Sequence, residues 1–222
     1  MRVLFVEDIE NEAARNWAER FAKAMERTFD VVPADAFTED MEADFLVFST
    51  KAQSRSVQHF LNLSRELRIP YLFLTPQMHY PEDAVLRNVL APVTMLEEEV
   101  HKAELLSHLA RYTNTALTLL TAKDYGSRAR TNTGKIRTFL ESRQADLGKT
   151  FVIREETARG DSMALYKEVM NVREADMIVW TASRDYGLDD LIFGPAERKL
   201  ILRSVVPIAL LNPRGDLFSL CD

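Results

Sequence analysis

The residues that could cradle a phosphate are confined to the second half of this chain. The sequence has 7 glycines, and the first of them is Gly126. Glycine lets a backbone turn tightly against an anion, so that several N–H groups point at it. The segment before Gly126 therefore cannot contain a glycine-rich phosphate loop, and any such loop must lie downstream.

One glycine pair, Gly126 and Gly134, invites comparison with a P-loop. The spacing is wrong, and Ile136 follows Lys135 where a hydroxyl should stand. We interpret this segment as a mobile, solvated connection that leads into a helix. The alternative is that its basic side chains contact an anion or a partner; these are Arg128, Arg130, Lys135 and Arg137.

No pattern of side chains predicts catalysis or a metal centre. His101 and His108 lie on one predicted helix, but no Asp, Glu or Cys at ligand spacing completes a metal site, so we interpret both as solvated. No nucleophile stands in a recognisable motif with a base. The single cysteine, Cys221, cannot make an internal disulfide. We therefore expect a protein that is not an enzyme and has no metal ligands.

Composition argues against other classes of partner. The chain has 222 residues, a formal net charge of -6 and a pI of about 5.4, whereas a nucleic-acid or acidic-membrane surface needs a basic face. No apolar run approaches the ~20 residues of a membrane span. Glu7 and Asp8 come too early for a signal peptide. We expect a cytoplasmic protein without nucleic-acid or membrane partners.

Three apolar segments occur twice in the chain, in the same order. They are 3–6 with 89–93, 43–50 with 175–182, and 69–76 with 206–213. Such ordered self-similarity predicts a duplicated unit, with a boundary near 77–87. We place the first unit at 1–80 and the second at 87–222.

The matched segments are short, continuous apolar runs, which are typical of strands buried on both faces of a parallel sheet. Helical periodicity lies between them, so each unit is α/β and Rossmann-like, with helices flanking its sheet. The first unit is the shorter, with no room for a full helix between Val32 and Ala43. Strands are predicted at 2–7, 29–32, 43–49, 70–75, 88–93, 115–121, 150–155, 176–181 and 206–211. Helices are predicted near 11–28, 56–67, 97–112, 133–146, 161–173 and 195–203.

From Asn88 to Pro213 the chain resembles the universal stress protein family. The resembling segments are 89–94, 115–120, Gly160 with Asp161, 175–180, Gly187 with Leu188, 191–194, 196–198 and 206–208. The resemblance implies an adenine nucleotide alpha hydrolase-like fold. For the first unit it rests on the internal repeat alone.

Many members of that family bind ATP through a glycine loop after the fourth strand. Carried over by motif position, the candidate pocket consists of Thr94, Thr181, Arg184, Gly187 and Gly194. Gly194 keeps the family's third glycine, and Gly187 keeps its place inside the loop. Thr181 and Arg184 replace the first two glycines. Thr94 replaces an aspartate that contacts ribose.

The replacements weaken a phosphate site. Thr181 adds a β-branched side chain where close backbone approach is needed, and Pro195 removes an N–H donor, although proline suits the first position of a helix. Carboxylates in or beside the loop should repel a triphosphate, with only Arg184 opposing them; they are Asp185, Asp189 and Asp190. We expect a degraded ATP loop and no bound cofactor. The alternative is ATP or AMP bound through Arg184, Gly187 and Gly194, with weak hydrolysis.

In the first unit, Asp8 stands where the family's aspartate would be, but no glycine follows Thr50 in that unit. We interpret Asp8 as the cap of the first helix, because carboxylates favour helix N-termini. The alternative is a functional carboxylate. Neither half carries a complete nucleotide site.

The resemblance also implies partners. In this family the last strand often forms a dimer contact, and here it is the apolar run 206–211, with Val206 and Leu211 at its ends. We expect a homodimer through this strand, and a pseudo-dimer of the two units within one chain. The implied function is non-catalytic binding of a ligand or partner in a stress response. A purely structural partner-binding module is a further alternative.

Overall fold

The apolar runs of the first half form four strands, with helices between them. The computed structural model describes residues 1–81, 85–123, 126–159, 169, 175–183 and 195–213. The first-half elements are β1 (Arg2–Glu7), α1 (Glu12–Ala24), β2 (Thr28–Pro33), β3 (Phe45–Ser49), α2 (Ser54–Leu63) and β4 (Tyr71–Leu74). Between β2 and β3 there is only one 3₁₀ turn, Ala34–Ala36, as the short spacing predicted.

The second half contains five described strands. Its elements are β5 (Asn88–Val93), a 3₁₀ helix (Glu97–His101), α3 (Lys102–Thr113), β6 (Ala116–Ala122), α4 (Gly126–Leu147), β7 (Ile153–Ala158), β8 (Met177–Thr181), α5 (Ala196–Arg203) and β9 (Ile208–Leu211). The helix predicted near 161–173 lies outside the described residues, apart from the buried Val169.

The N-terminal part of α4 corrects a prediction. The segment from Gly126 was interpreted as a solvated connection, but it forms the first turns of a helix that runs to Leu147. Ala129, Asn132 and Thr133 are buried on its inner face, together with residues of the predicted part. The helix ends before Gly148, whose φ of 58° suits a residue without a Cβ.

All nine strands lie in a single mixed sheet, in the order β2-β1-β3-β4-β9-β8-β5-β6-β7. Every pairing is parallel except the one between β4 and β9. The two parallel sheets that the sequence predicted are therefore joined edge to edge by one antiparallel pairing.

The register of the pairings follows the sequence repeat. Val3 faces Phe45 across β1 and β3, and Val89 faces Met177 across β5 and β8. Leu46 likewise faces Tyr71, and at the matching positions Ile178 faces Ile208. Equivalent residues of the two predicted units thus occupy equivalent places in the sheet.

Helices cover both faces of the sheet, which explains why the strands are apolar on both sides. One face packs against α1, α3 and α4, and includes the buried Trp17, which stacks on Phe21 at 5.4 Å between ring centres. The other face packs against α2 and α5. Trp180 lies partly buried on that second face.

Strand β9 is central in the sheet. Its two edges pair with β4 and β8, so the edge predicted to join two chains is occupied by a strand of the same chain. A homodimer would need another surface. Among the residues described, no helix is both long and apolar enough to cross a membrane.

Candidate functional site

The topology places a crevice at the carboxyl ends of β5 and β8. Strand β5 pairs with β6 on one side and β8 on the other, so the chain leaves β5 and β8 toward opposite faces. In open α/β sheets, ligands bind outside the carboxyl ends of strands at such a switch point. Thr94 directly follows β5, and Thr181 is the last residue of β8. Two of the five predicted pocket residues therefore meet here.

The structure joins the two threonines through a third residue, Glu99. Its carboxylate accepts a hydrogen bond from Thr94 Oγ1 at 2.8 Å and another from Thr181 Oγ1 at 3.4 Å. Lys102 Nζ lies 2.5 Å from the same carboxylate. The 3₁₀ helix Glu97–His101 carries Glu99 into this position between the ends of the two strands.

Glu99 and Lys102 form a buried ion pair. Their side chains are 2% and 1% exposed, respectively. Lys102 Nζ also donates to the carbonyl of Pro92, near the end of β5. Burial lowers the pKa of the Lys102 ammonium from its usual value, and the neighbouring Glu99 carboxylate opposes this shift. The charges cancel locally, and the hydroxyls of both candidate threonines are already engaged.

Another buried carboxylate holds the start of the segment that follows β8. Glu197, in the first turn of α5 and 1% exposed, accepts hydrogen bonds from Ser183 N–H at 3.1 Å and Ser183 Oγ at 2.9 Å. Pro195 occupies the N-cap of α5, one position before the place predicted for it. Two buried carboxylates, Glu99 and Glu197, thus lie where an anionic ligand would approach.

The remaining predicted pocket residues, Arg184, Gly187 and Gly194, lie outside the described residues, as do Asp185, Asp189 and Asp190.

On the other side of the crevice, Asn132 of α4 donates from Nδ2 to the carbonyls of Thr94 at 3.0 Å and Leu96 at 2.7 Å. This amide fixes the turn that leads from β5 to Glu99.

Sequence reasoning missed Glu99, Lys102, Asn132 and Glu197. The only signal for the ion pair was Glu and Lys at i and i+3, which is an ordinary arrangement on an exposed helix. Burial distinguishes this pair from a surface pair, and burial here depends on β8, which is far away in the chain. Asn132 belonged to a segment that was not predicted to be helical.

In the first half, Asp8 is not the helix cap that was predicted. The N-cap of α1 is Asn11, whose side-chain oxygen accepts from Ala14 N–H at 3.2 Å. Asp8 instead accepts from Thr50 Oγ1 at 3.0 Å and Lys51 N–H at 3.4 Å. It therefore links the carboxyl ends of β1 and β3, as Glu99 links those of β5 and β8.

The carboxyl ends of β1 and β3 form the corresponding crevice of the first half. Near it lie buried polar atoms that make no hydrogen bond to the described residues. Glu7 and Ser49 face each other in the register of β1 and β3. Glu7 Oε1, Ser49 Oγ and Trp17 Nε1 are buried and make no hydrogen bond to the described part of the chain. Buried polar atoms are usually paired, so this edge has polar groups that could meet a small polar molecule.

The histidines form no metal site with the residues described. Within that part of the chain, no group of three His, Cys, Asp or Glu side chains could hold an ion. The prediction that His108 is solvated is wrong, because its Nε2 lies 3.1 Å from Arg27 Nη2 of the first half.

Solved structures of similar shape include universal stress proteins. One from Archaeoglobus fulgidus DSM 4304 matches 97% of this chain and 88% of its own, with a TM-score of 0.58 and 13% sequence identity. A functionally unknown protein from Pseudomonas aeruginosa PAO1 matches 96% of this chain and 82% of its own, with a TM-score of 0.50 and 16% identity. No family model and no curated protein matches the sequence. At these identities the likeness is one of fold: the chain has the mostly parallel, Rossmann-like α/β fold of universal stress proteins.

Proposed function

We propose that this protein is a non-catalytic, universal-stress-protein-like binding protein of the stress response. Its second-half crevice does not take ATP in the manner of the family. The observation that carries the proposal is the buried Glu99–Lys102 pair, which engages both Thr94 and Thr181. Because the polar side chains of the second-half crevice already bond to one another, we expect the ligand or partner to bind elsewhere.

Two physical effects disfavour a triphosphate at this crevice. The Lys102 ammonium is already paired with the buried Glu99 carboxylate, so it is not available to a phosphate group in the present arrangement. Moving Lys102 toward a phosphate would leave Glu99 buried without its partner, which is strongly destabilising. The hydroxyls of Thr94 and Thr181 would also have to exchange their present hydrogen bonds for new ones.

The polar edge of the first half is the better candidate for a ligand. There Glu7 Oε1, Ser49 Oγ and Trp17 Nε1 offer acceptors and donors that the described chain leaves unpaired. Arg15 pairs with the other carboxylate oxygen of Glu7 at 2.5 Å, so the charge of Glu7 is already balanced and a small neutral molecule with hydrogen-bonding groups fits this edge.

Isothermal titration calorimetry with ATP, ADP and AMP, with and without Mg²⁺, tests the second crevice. We expect no binding tighter than the millimolar range and no phosphate release from ATP above the buffer rate. Native mass spectrometry of the purified protein tests for a copurifying ligand. Ser49→Val should remove such a ligand, whereas Ser142→Ala on exposed α4 should retain it.

Micromolar binding of any of the three nucleotides would instead support the alternative, an adenine-nucleotide protein that uses Arg184, Gly187 and Gly194. In that case Glu99→Gln should strengthen binding by removing a negative charge. ATP turnover by the wild-type protein would contradict the non-catalytic proposal.

A further inference from the structure

A polar cavity lies between α3 and α4, outside the strand-end crevices. Its volume is about 170 Å³. The lining residues come from both helices. They are Glu104, Ser107, His108 and Arg111 of α3, and Phe139, Arg143 and Leu147 of α4. Holding one water takes about 10–15 Å³ of such space, so the cavity admits several water molecules. It is large enough for a phosphate group with a short substituent.

The two arginines of this cavity are oriented by aromatic rings. The Arg143 guanidinium lies 5.3 Å from the ring centre of Phe139, and that of Arg111 lies 5.1 Å from the ring centre of Tyr112. Cation–π contact engages the face of a guanidinium and leaves its N–H edge available. In the described part of the chain, neither guanidinium forms a hydrogen bond or an ion pair.

A third cation reinforces the positive charge behind the cavity. Arg27, whose side chain is 6% exposed, places Nη2 at 3.1 Å from His108 Nε2. A guanidinium only donates hydrogen bonds, so in this contact Nε2 is the acceptor. Asp44, 3.8 Å from Arg27, balances part of that charge. Glu104 is exposed, so water screens its carboxylate.

We propose that this cavity is a binding site for a phosphate-class oxyanion, either inorganic phosphate or a small phosphomonoester, held by Arg111 and Arg143. Two planar guanidinium forks match the oxygens of a tetrahedral dianion, and charge-assisted hydrogen bonds of this kind are among the strongest in proteins. Ser107 lines the same cavity and carries a hydroxyl donor.

The site is tested by NMR on the full-length protein at neutral pH, with inorganic phosphate added at constant ionic strength. We expect saturable shifts in the arginine Nε–H signals and in the amides around 107–111 and 139–143. A small phosphomonoester such as glycerol phosphate should compete with phosphate at this site if the natural ligand is a metabolite. If phosphate binds and the monoester does not, the ligand is the free anion.

Substitutions of the two cavity arginines test whether phosphate binds in this cavity. Arg111→Gln combined with Arg143→Gln should weaken phosphate affinity by at least about tenfold, or about 1.4 kcal/mol. Arg137→Gln is the matched control, because Arg137 lies exposed on α4 and pairs with Glu141 and Glu155. Arg143→Lys retains the charge but loses the planar fork, so an intermediate loss is expected.

Three results would overturn the proposal. One is the absence of saturable shifts at tens of millimolar phosphate. Another is an equal response to chloride, which would indicate general screening. The last is an equal loss of affinity in Arg137→Gln and in the double variant, with circular dichroism showing that both are folded.

Discussion

Single residues decide what the second crevice can hold. Lys102 and Glu99 are both buried, and each removes the cost of burying the other's charge. The hydroxyls of Thr94 and Thr181 complete the hydrogen bonds of the carboxylate. Such a cluster is stable only as a whole, because an unpaired buried charge is costly. The residues of this cluster therefore contribute to folding as a unit.

Replacing Lys102 should show this dependence. Lys102→Met leaves Glu99 buried without its cation, so we expect the free energy of unfolding to fall by about 3–5 kcal/mol. Urea denaturation followed by circular dichroism measures this loss. Lys102→Met combined with Glu99→Gln should recover much of it. Arg128→Ala is the control, because it breaks only the exposed pair with Glu97 and should cost less than about 1 kcal/mol. Equal losses in Lys102→Met and Arg128→Ala would refute a buried, mutually dependent pair.

Tyr80 should make stability depend on alkaline pH. Burial raises the pKa of its phenol above the usual 10.0, and its hydroxyl donates to the Thr75 carbonyl at 2.8 Å. Above pH 10.0 the unfolded chain releases a proton that the folded chain retains, so this contribution is complete below that pH and is lost as the pH rises above it.

Comparing wild type with Tyr80→Phe isolates the effect. The difference in their free energies of unfolding should be constant below the usual phenol pKa. Above it, the wild type should lose stability relative to the variant by up to about 1.4 kcal/mol per pH unit. Urea titrations at several pH values measure the difference. A pH-independent difference would contradict the shift of the Tyr80 pKa.

At the scale of elements, the structure corrects two predictions: which residue caps α1, and where α4 begins. Asn11 caps α1, while Asp8 reaches across to β3. Both residue types suit an N-cap, so the sequence alone allowed either. For α4, Gly134 in mid-helix lowered the local propensity by about 1 kcal/mol relative to alanine. Packing of Ile136 and Leu140 against the sheet, with Asn132 bonded to the turn after β5, outweighs that preference.

Hydrogen exchange distinguishes the two candidate caps of α1. Asn11→Ala should accelerate exchange of the Ala14 amide and cost about 1 kcal/mol of stability, because that N–H loses its acceptor. Asp8→Ala should leave Ala14 protected and instead expose the Lys51 amide. Faster exchange at Ala14 in Asp8→Ala would restore the original interpretation of Asp8.

At the scale of the whole molecule, the antiparallel pairing of β4 with β9 makes one sheet from two predicted units. Asn212, just after β9, strengthens the junction: its Oδ1 accepts from Tyr71 Oη at 3.1 Å. Its Nδ2 donates to the carbonyls of Ser64 at 2.7 Å and Leu67 at 2.8 Å. Both hydrophobic clusters contain residues from both halves. The halves should therefore depend on each other for stability.

Calorimetry should show one cooperative unfolding transition, with a van't Hoff enthalpy close to the calorimetric enthalpy. Asn212→Ala removes a buried bridge between the halves and should lower the midpoint of that transition without splitting it, at a cost of about 1–3 kcal/mol. Ser142→Ala on the exposed side of α4 should leave the midpoint unchanged. Two resolved transitions in the wild type would mean that the predicted units unfold independently.

Much of the fold was predictable because buried parallel strands are short apolar runs. Strands β1 and β5 were placed at their observed bounds, and the other seven described strands were located within a few residues. Of the candidate site, Thr94 and Thr181 were named from their motif positions, and the structure places both within hydrogen-bond distance of Glu99. Glu99 and Glu197 were not recognised, because a carboxylate in a polar segment looks the same whether water or a buried lysine faces it.

The sequence by itself therefore determined the α/β class, the alternation of strands and helices, and the confinement of glycine to the second half. Those properties depend on local periodicity and residue type. Only the tertiary structure decided that β4 and β9 pair, that Asn11 rather than Asp8 caps α1, and that Lys102 meets Glu99 in the crevice. The physical reason is that each of these depends on which distant segments exclude water from a given side chain, and that is a property of packing.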